Sequence, residues 1–363
     1  MAKFNAENER IKHKYLEWEK EARGKSEATI TNIREALYLF DEYTGFKNFK
    51  QINTKDIIVF KNALKQKRNL RTGAAVSNVY LFHTSTYLIS FFQWLYSQKG
   101  YKQKISPTDI DYFNLSAKDK QIARSPRSKR YPTLEQIEHV IKNMPIETDI
   151  QKRNRALIAF FALTGGRVTA VTSLKLEHIS LENERVEQNP QEVKTKNSKK
   201  IVTFFYPVGD LIKGVVIDWV NFLKKERKFG FEAPLFPNTK LSLDANDQFS
   251  RQELDSVVWK SATSVRVILK QAFEAAEVEY YNPHSFRHTV AQLGYKFCKT
   301  PEDYKAWSQN LGHSSPLTTF TSYGQIDECT QGEIIKRLGK NDDEKPVTIK
   351  DIEKLLAQKN NGY

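Results

Sequence analysis

The stretch YNPHSFRHTVAQLG, residues 281–294, decides how the chain reads. Asn282 is a good helix cap and Pro283 suits the first helical position, so a helix is expected to start here. His284 and Arg287 then fall three residues apart on one face, near the positive end of the helix dipole. An arginine beside a histidine at a helix N-terminus is an anion-binding arrangement. The competing reading is a metal pair, His284 with His288 at i,i+4. A metallopeptidase-type site would need a glutamate beside the first histidine, and position 285 is serine. No further ligand cluster stands out in the sequence, so no metal is expected.

Upstream lies ALTGGRVTAVTSLKLEHI, residues 162–179, where Arg167 follows two glycines. A backbone can turn sharply there and aim a guanidinium inward. EVKTKNSKKIVTFFYP, residues 192–207, is expected to fold about Asn197-Ser198 as a hairpin carrying Lys194, Lys196, Lys199 and Lys200. Downstream, NLGHSSPLTTFTSYGQ, residues 310–325, is too rich in serine and threonine to make a core. It reads as a polar loop or short helix that delivers Tyr323, ten residues after His313. Taken singly these segments are ordinary. An arginine after a glycine turn is usually a surface residue, and four lysines near a turn normally mark a wet edge.

Residues from about 8 to 104 read as helices. Ile30, Ile33, Leu37 and Phe40 keep helical spacing up to Gly45; Asn53 or Thr54 caps a second pattern through Ile57, Phe60 and Leu64. The aromatic-rich run from Ser77 carries Leu81, Leu88, Phe92 and Leu95 as a core stripe rather than a base-stacking platform. Residues 118–132, KDKQIARSPRSKRYP, hold six basic residues, one acidic residue and two prolines. They are expected to form an exposed linker, suited to lying along a phosphate backbone. Thr133 and Gln136 then form a capping signature ahead of Ile137, Val140 and Ile141. The expected division is a helical domain over 1–105, a basic linker over 106–132, and a mostly helical domain with a small antiparallel sheet over 133–338. Residues 339–363 would supply a linker and a short amphipathic helix that docks on its own domain or on a neighbouring copy.

The chain has 363 residues, 39% hydrophobic, with a formal net charge of +14. That is enough apolar material for two cores, and the charge points first to nucleic acid. No apolar run approaches the roughly 18–20 residues of a membrane span, so no membrane partner is expected. The first residues, MAKFNAENERIKHKY, lack the apolar stretch of a secretory signal. Cys298 and Cys329 are too few for a disulfide framework, so a reducing cytoplasm is the expected location.

Taken together, TGGR, a lysine-bearing hairpin, HxxRH, LGHSS and the following tyrosine occur in that order within about 160 residues. This ordered set resembles the catalytic domain of the tyrosine recombinases, the phage-type integrases. The preceding helices and basic segment resemble that family's core-binding domain and interdomain strap. The resemblance implies that Arg167 and Arg287 clamp the scissile phosphate, that His284 and His313 hydrogen-bond it, and that Tyr323 is the nucleophile. A hairpin lysine would protonate the leaving 5′-oxygen. Lys194 fits the Lys-Thr step that often has this role and is favoured, while Lys196 sits nearer the turn. The family often has an acidic residue three positions after its first arginine, whereas this chain has Ala170.

The implied activity is cleavage and rejoining of duplex DNA through a 3′-phosphotyrosine and a four-way junction, without metal, nucleotide or other cofactor. The implied partners are double-stranded DNA, on which the protein would sit in the bacterial nucleoid, a homo-tetramer across two sites, and in some systems a DNA-bending accessory protein. Integration or excision of a mobile element is the leading expectation. A Xer-like dimer resolvase, a type IB topoisomerase-like relaxer and a non-catalytic DNA-binding relative are the alternatives.

Overall fold

A computed structural model describes residues 4–69, 72–125, 130–193, 200–243, 249–259 and 261–313. The chain divides into two units, Met1–Pro126 and Arg127–Tyr363.

In the first unit, α1 (Ala6–Glu21) starts at Asn5, whose side chain accepts from two backbone N–H groups, and α2 (Glu27–Tyr43) starts at Ser26. Gly45 follows α2 with φ of 63°, the expected glycine stop. A full capping box between Asn53 and Asp56 opens α3 (Thr54–Gln66). The aromatic helix α4 (Asn78–Tyr96) buries Leu81, Leu88, Phe91, Phe92 and Leu95 as core. Phe40 meets Phe60 and Phe92 edge-on at 5.0 and 5.4 Å. Each fully buried phenyl contributes about 2–3 kcal/mol. Beside this apolar centre, Asn8 donates to Asp41 at 2.9 Å and Lys12 bonds Asp41 at 2.6 Å, with Asp41 fully buried.

The stretch expected as a linker departs from that reading. Residues 106–125 fold with the first unit as α5 (Pro107–Ile110), a 3-10 turn Asp111–Phe113 and α6 (Ala117–Arg124). Ile110, Phe113 and Leu115 are buried. Helix α6 buries none of its own residues. Polar and cation–π contacts hold it instead: Lys65 with Asp119 at 2.9 Å, Lys120 with Asn114 at 2.8 Å, and Arg124 over the Phe82 ring at 5.3 Å.

The second unit opens with α7 (Leu134–Asn143), capped by the Thr133–Gln136 box. Next, α8 (Asp149–Thr164) is buried on every side from Ala156 to Thr164, as a helix at the centre of a domain must be. After the short α9 (Val168–Val171) come β1 (Ile179–Ser180), β2 (Arg185–Gln188) and β3 (Ile201–Phe204), an antiparallel sheet in the order β1-β2-β3. The partner of β3 is β2, from Arg185 opposite Phe204 to Gln188 opposite Ile201. The expected hairpin arm before Asn197 does not extend to residues 191–193, where the N–H groups of Glu192 and Val193 turn back onto the Asn189 carbonyl. Residues 194–199, with the turn itself, lie outside the described residues.

Helix α10 (Asp210–Asn221) packs on α8 and runs into a π turn, Phe222–Glu226. A second hairpin, β4 (Asn238–Leu243) with β5 (Phe249–Asp255), is bulged between Lys240 and Ser242. Helices α11 (Thr263–Ala275), α12 (Pro283–Phe297) and α13 (Pro301–Asn310) complete the described residues. No described helix is long and apolar enough to cross a membrane. The proposed tail helix lies outside the described residues.

Candidate active site

Two glycine-containing turns meet at one arginine of a third element. The first is the end of α8. Gly165 takes φ of 58° and donates its N–H to the Phe161 carbonyl at 2.9 Å, and the Gly166 N–H reaches the Thr164 hydroxyl at 3.2 Å. A Cβ on Gly166 would lie 2.7 Å from the Val171 side chain, so only glycine fits. Arg167 then stands half-buried and extended at the cap of α9. Ala170 is buried in the apolar core, so the acidic support that the family pattern places there is absent from that position.

Helix α12 supplies the second part. The Asn282 carboxamide accepts from the His284 N–H at 3.0 Å, and Pro283 occupies the first turn, as the sequence indicates. His284 is exposed at this helix N-terminus, where orphan N–H groups favour an anion. Arg287, one turn on, is only 2% exposed. Its Nη1 donates to the Gly165 carbonyl at 3.1 Å and its Nη2 donates to the Leu311 carbonyl. One guanidinium thus joins the TGGR turn to the LGH turn.

The third part is the end of α13. Gly312 has φ of 71°; its N–H reaches the Gln309 carbonyl at 2.7 Å, and the His313 N–H reaches the Ser308 carbonyl at 3.1 Å. This is a Schellman closure, which fixes His313 immediately past the helix, and His313 is buried there. A Cβ on Gly312 would sit 2.7 Å from Ile201, so the turn is pressed directly onto β3.

Sequence reading missed how α13 is held. Asn310 accepts from the Phe204 N–H at 2.7 Å and donates to the Phe204 carbonyl at 2.9 Å, while the Thr203 hydroxyl donates to the Asn310 carbonyl at 3.0 Å. The Trp307 indole donates to the Val290 carbonyl at 3.0 Å, against Gly294, where a Cβ would also lie 3.0 Å from the indole. The helix itself was not read from the sequence either, although its signal is local: Thr300, Pro301 and Asp303 form a capping box with proline at the first turn. Tyr206, the tyrosine donating to the Trp307 carbonyl at 3.0 Å, has its phenol pushed well up by burial, which suits a strut and not a nucleophile.

Arg167, His284, Arg287 and His313 are therefore carried on turns tied to one another. Lys194, Lys196 and Tyr323 lie outside the described residues. His284 and His288, the pair considered for metal, pack edge to face at 5.4 Å and 89°. Among the described residues, Glu177, His178 and Glu192 bring three ligand atoms within 4.8 Å of one another. His178 already accepts from the Lys175 N–H at 2.9 Å and meets Glu192 at 3.2 Å, the pattern of a satisfied structural histidine.

Comparison with known proteins gives one domain match and several relatives. The family model described as "Phage integrase family" matches residues 131–328. The tyrosine recombinase XerC of Lactobacillus delbrueckii subsp. bulgaricus is 25% identical over 180 residues, 48% of this chain and 54% of that protein. The chain thus spans about half the length of the curated relatives it matches. A lambda integrase tetramer bound to a Holliday junction is similar in fold, with a TM-score of 0.59 at 15% identity over 89% of this chain and 81% of that one. XerH bound to a palindromic difH substrate gives 0.57 at 18% identity, over 88% of this chain and 83% of that one.

Proposed function

Because the chain belongs to the phage integrase family, we propose that it is a site-specific recombinase that cuts and rejoins duplex DNA through a covalent 3′-phosphotyrosine. The observation that carries the reading is the Arg287 guanidinium, which ties the Gly165 and Leu311 turns and so gathers the residues of three distant motifs.

In this reading Tyr323 attacks the phosphorus as the 5′-oxygen departs. The phenol proton leaves to a neighbouring base, and Lys194 (or Lys196) gives a proton to the departing oxygen. Forming phenolate at neutral pH from a group of pKa about 10 costs roughly 4 kcal/mol. Arg167 and Arg287 face the non-bridging oxygens, with His284 and His313 beside them. Each charged hydrogen bond to the phosphorane contributes about 1.5–3 kcal/mol, enough in sum to offset the phenolate cost. The phosphotyrosine retains the phosphodiester energy, so a 5′-hydroxyl reseals the strand by the reverse step.

Duplex DNA is the substrate, and four copies on two sites form the working assembly, which is supported by the lambda integrase tetramer on a Holliday junction. The amphipathic segment 348–359 would join neighbouring copies. Integration and excision of a mobile element is the favoured outcome; the XerC match favours Xer-like resolution as the second reading.

A nicked suicide duplex tests the chemistry. Wild type is expected to form a denaturant-resistant protein–DNA adduct, and Tyr323→Phe to form none while still binding. An adduct that persists in Tyr323→Phe removes the proposed nucleophile.

A further inference from the structure

His288 takes no part in the chemistry just proposed, yet it is 4% exposed and lies between two other rings. On one side the Tyr131 ring runs parallel to it, 6.4 Å away at 13°. On the other the His284 ring meets it edge-on at 5.4 Å. One residue further along α12, the Thr289 hydroxyl donates to the Pro132 carbonyl at 2.5 Å, with Ser285 as a second acceptor at 3.4 Å. Residues 131 and 132 are therefore fastened to α12 at two successive positions, by a ring face and by a hydrogen bond.

Their neighbour Arg130 is different. It pairs with Glu279 at 3.1 Å, with side chains 80% and 55% exposed, and an exposed pair of that kind fixes little. The holding is done by Tyr131 and Thr289.

We propose that Tyr131 and Thr289 are positioning residues for His284. The His284 backbone is set by Asn282, but its exposed ring needs a lateral wall, and His288 is that wall. Tyr131 backs His288 from behind, and Thr289 stops the 131–132 segment from lifting away. The place is telling, since the chain crosses between its two units at residues 126–127, just ahead of this brace. The first residues of the second unit would thereby set the aim of a phosphate-binding histidine. This rests on the recombinase reading of the site.

The test separates binding from chemistry. Full-length Tyr131→Ala, Tyr131→Phe, Thr289→Val and Thr289→Ser would be compared with wild type for suicide-duplex affinity, for the single-turnover rate of adduct formation at saturating protein, and for melting temperature. Tyr131→Ala and Thr289→Val are expected to slow adduct formation about 10- to 100-fold at little-changed affinity, as a displaced catalytic group does. Tyr131→Phe keeps the ring and Thr289→Ser keeps the hydroxyl, so both should recover most of the rate. Unchanged rates, losses that follow lost affinity, or conservative variants as slow as the others would each overturn the brace. A wild type that forms no adduct overturns the recombinase reading, and the brace with it. Slow variants beside an active wild type cannot be confused with that result.

Discussion

Both units bury cations, and Lys12 and Arg287 are surrounded differently. In the first unit Lys12 lies 2.6 Å from both Asp41 and Glu9. Burial disfavours its ammonium, but those two carboxylates hold its pKa above the ordinary lysine range. The charge is cancelled where it stands. In the second unit the hydrogen bonds described for Arg287 go to main-chain carbonyls, which orient a guanidinium without cancelling its charge. Arg153 shows that neutral partners alone do not make a site. It is 1% exposed, bonded to the Pro237 carbonyl and to Thr239 and Asn154, and covered by the Trp259 ring, and burial brings its pKa down to about 10. Arg287 differs by its place, at the meeting of the Gly165 and Leu311 turns and one turn along from an exposed His284. Two carboxylates make Lys12 a cation that holds a fold; Arg287, aimed by fixed carbonyls among turns that carry other donors, is the cation we propose for phosphate.

The comparison breaks most easily at Arg287. Arg287→Lys keeps the charge and loses the fork that spans two carbonyls, so adduct formation on bound DNA should fall about 10²–10³-fold. A rate near wild type would show the fork to be dispensable. Asp41→Asn sharpens the other side. It leaves Lys12 buried with only the half-exposed Glu9, and should cost about 3 kcal/mol in denaturant unfolding. Replacing both partners, Lys12→Met with Asp41→Leu, should recover most of that loss. If the double variant stays as unstable as the single, the buried Asn8 donor left without Asp41, and not the charge balance, carries the loss. The smallest effect is expected at the turn itself. Gly312→Ala forces a side chain into left-handed backbone against Ile201 and should cost about 1–3 kcal/mol by thermal melting. It should also slow cleavage through His313.

What the sequence made legible were features with local causes. Caps at Asn53, Thr133 and Asn282 and the stripe on α4 follow from spacing alone, and all four stand in the structure. Arg167, His284, Arg287 and His313 were read from the sequence as a set, and Arg287 bonds the turns that precede Arg167 and His313. Three things were not legible. Helix α6 buries no residue, so no apolar period could announce it, and its contacts with Lys65 and Phe82 come from far away in the chain. The β4–β5 pair has too many charges for clean alternation, and a bulge breaks its register. The part of Arg287 as a tie between two turns depends on carbonyls 122 and 24 residues away, which no local pattern encodes.

Asn310 has one more consequence. By accepting from the Phe204 N–H and donating to its carbonyl, this side chain imitates the peptide group of a neighbouring strand. An edge strand with those groups bare is a template on which another chain can add and grow a larger sheet. Here one carboxamide occupies the Phe204 pair of that template, at the residue that also anchors the His313 turn. Guarding against sticky self-association and keeping the histidine in place are thus a single contact, and a substitution at Asn310 would weaken both at once.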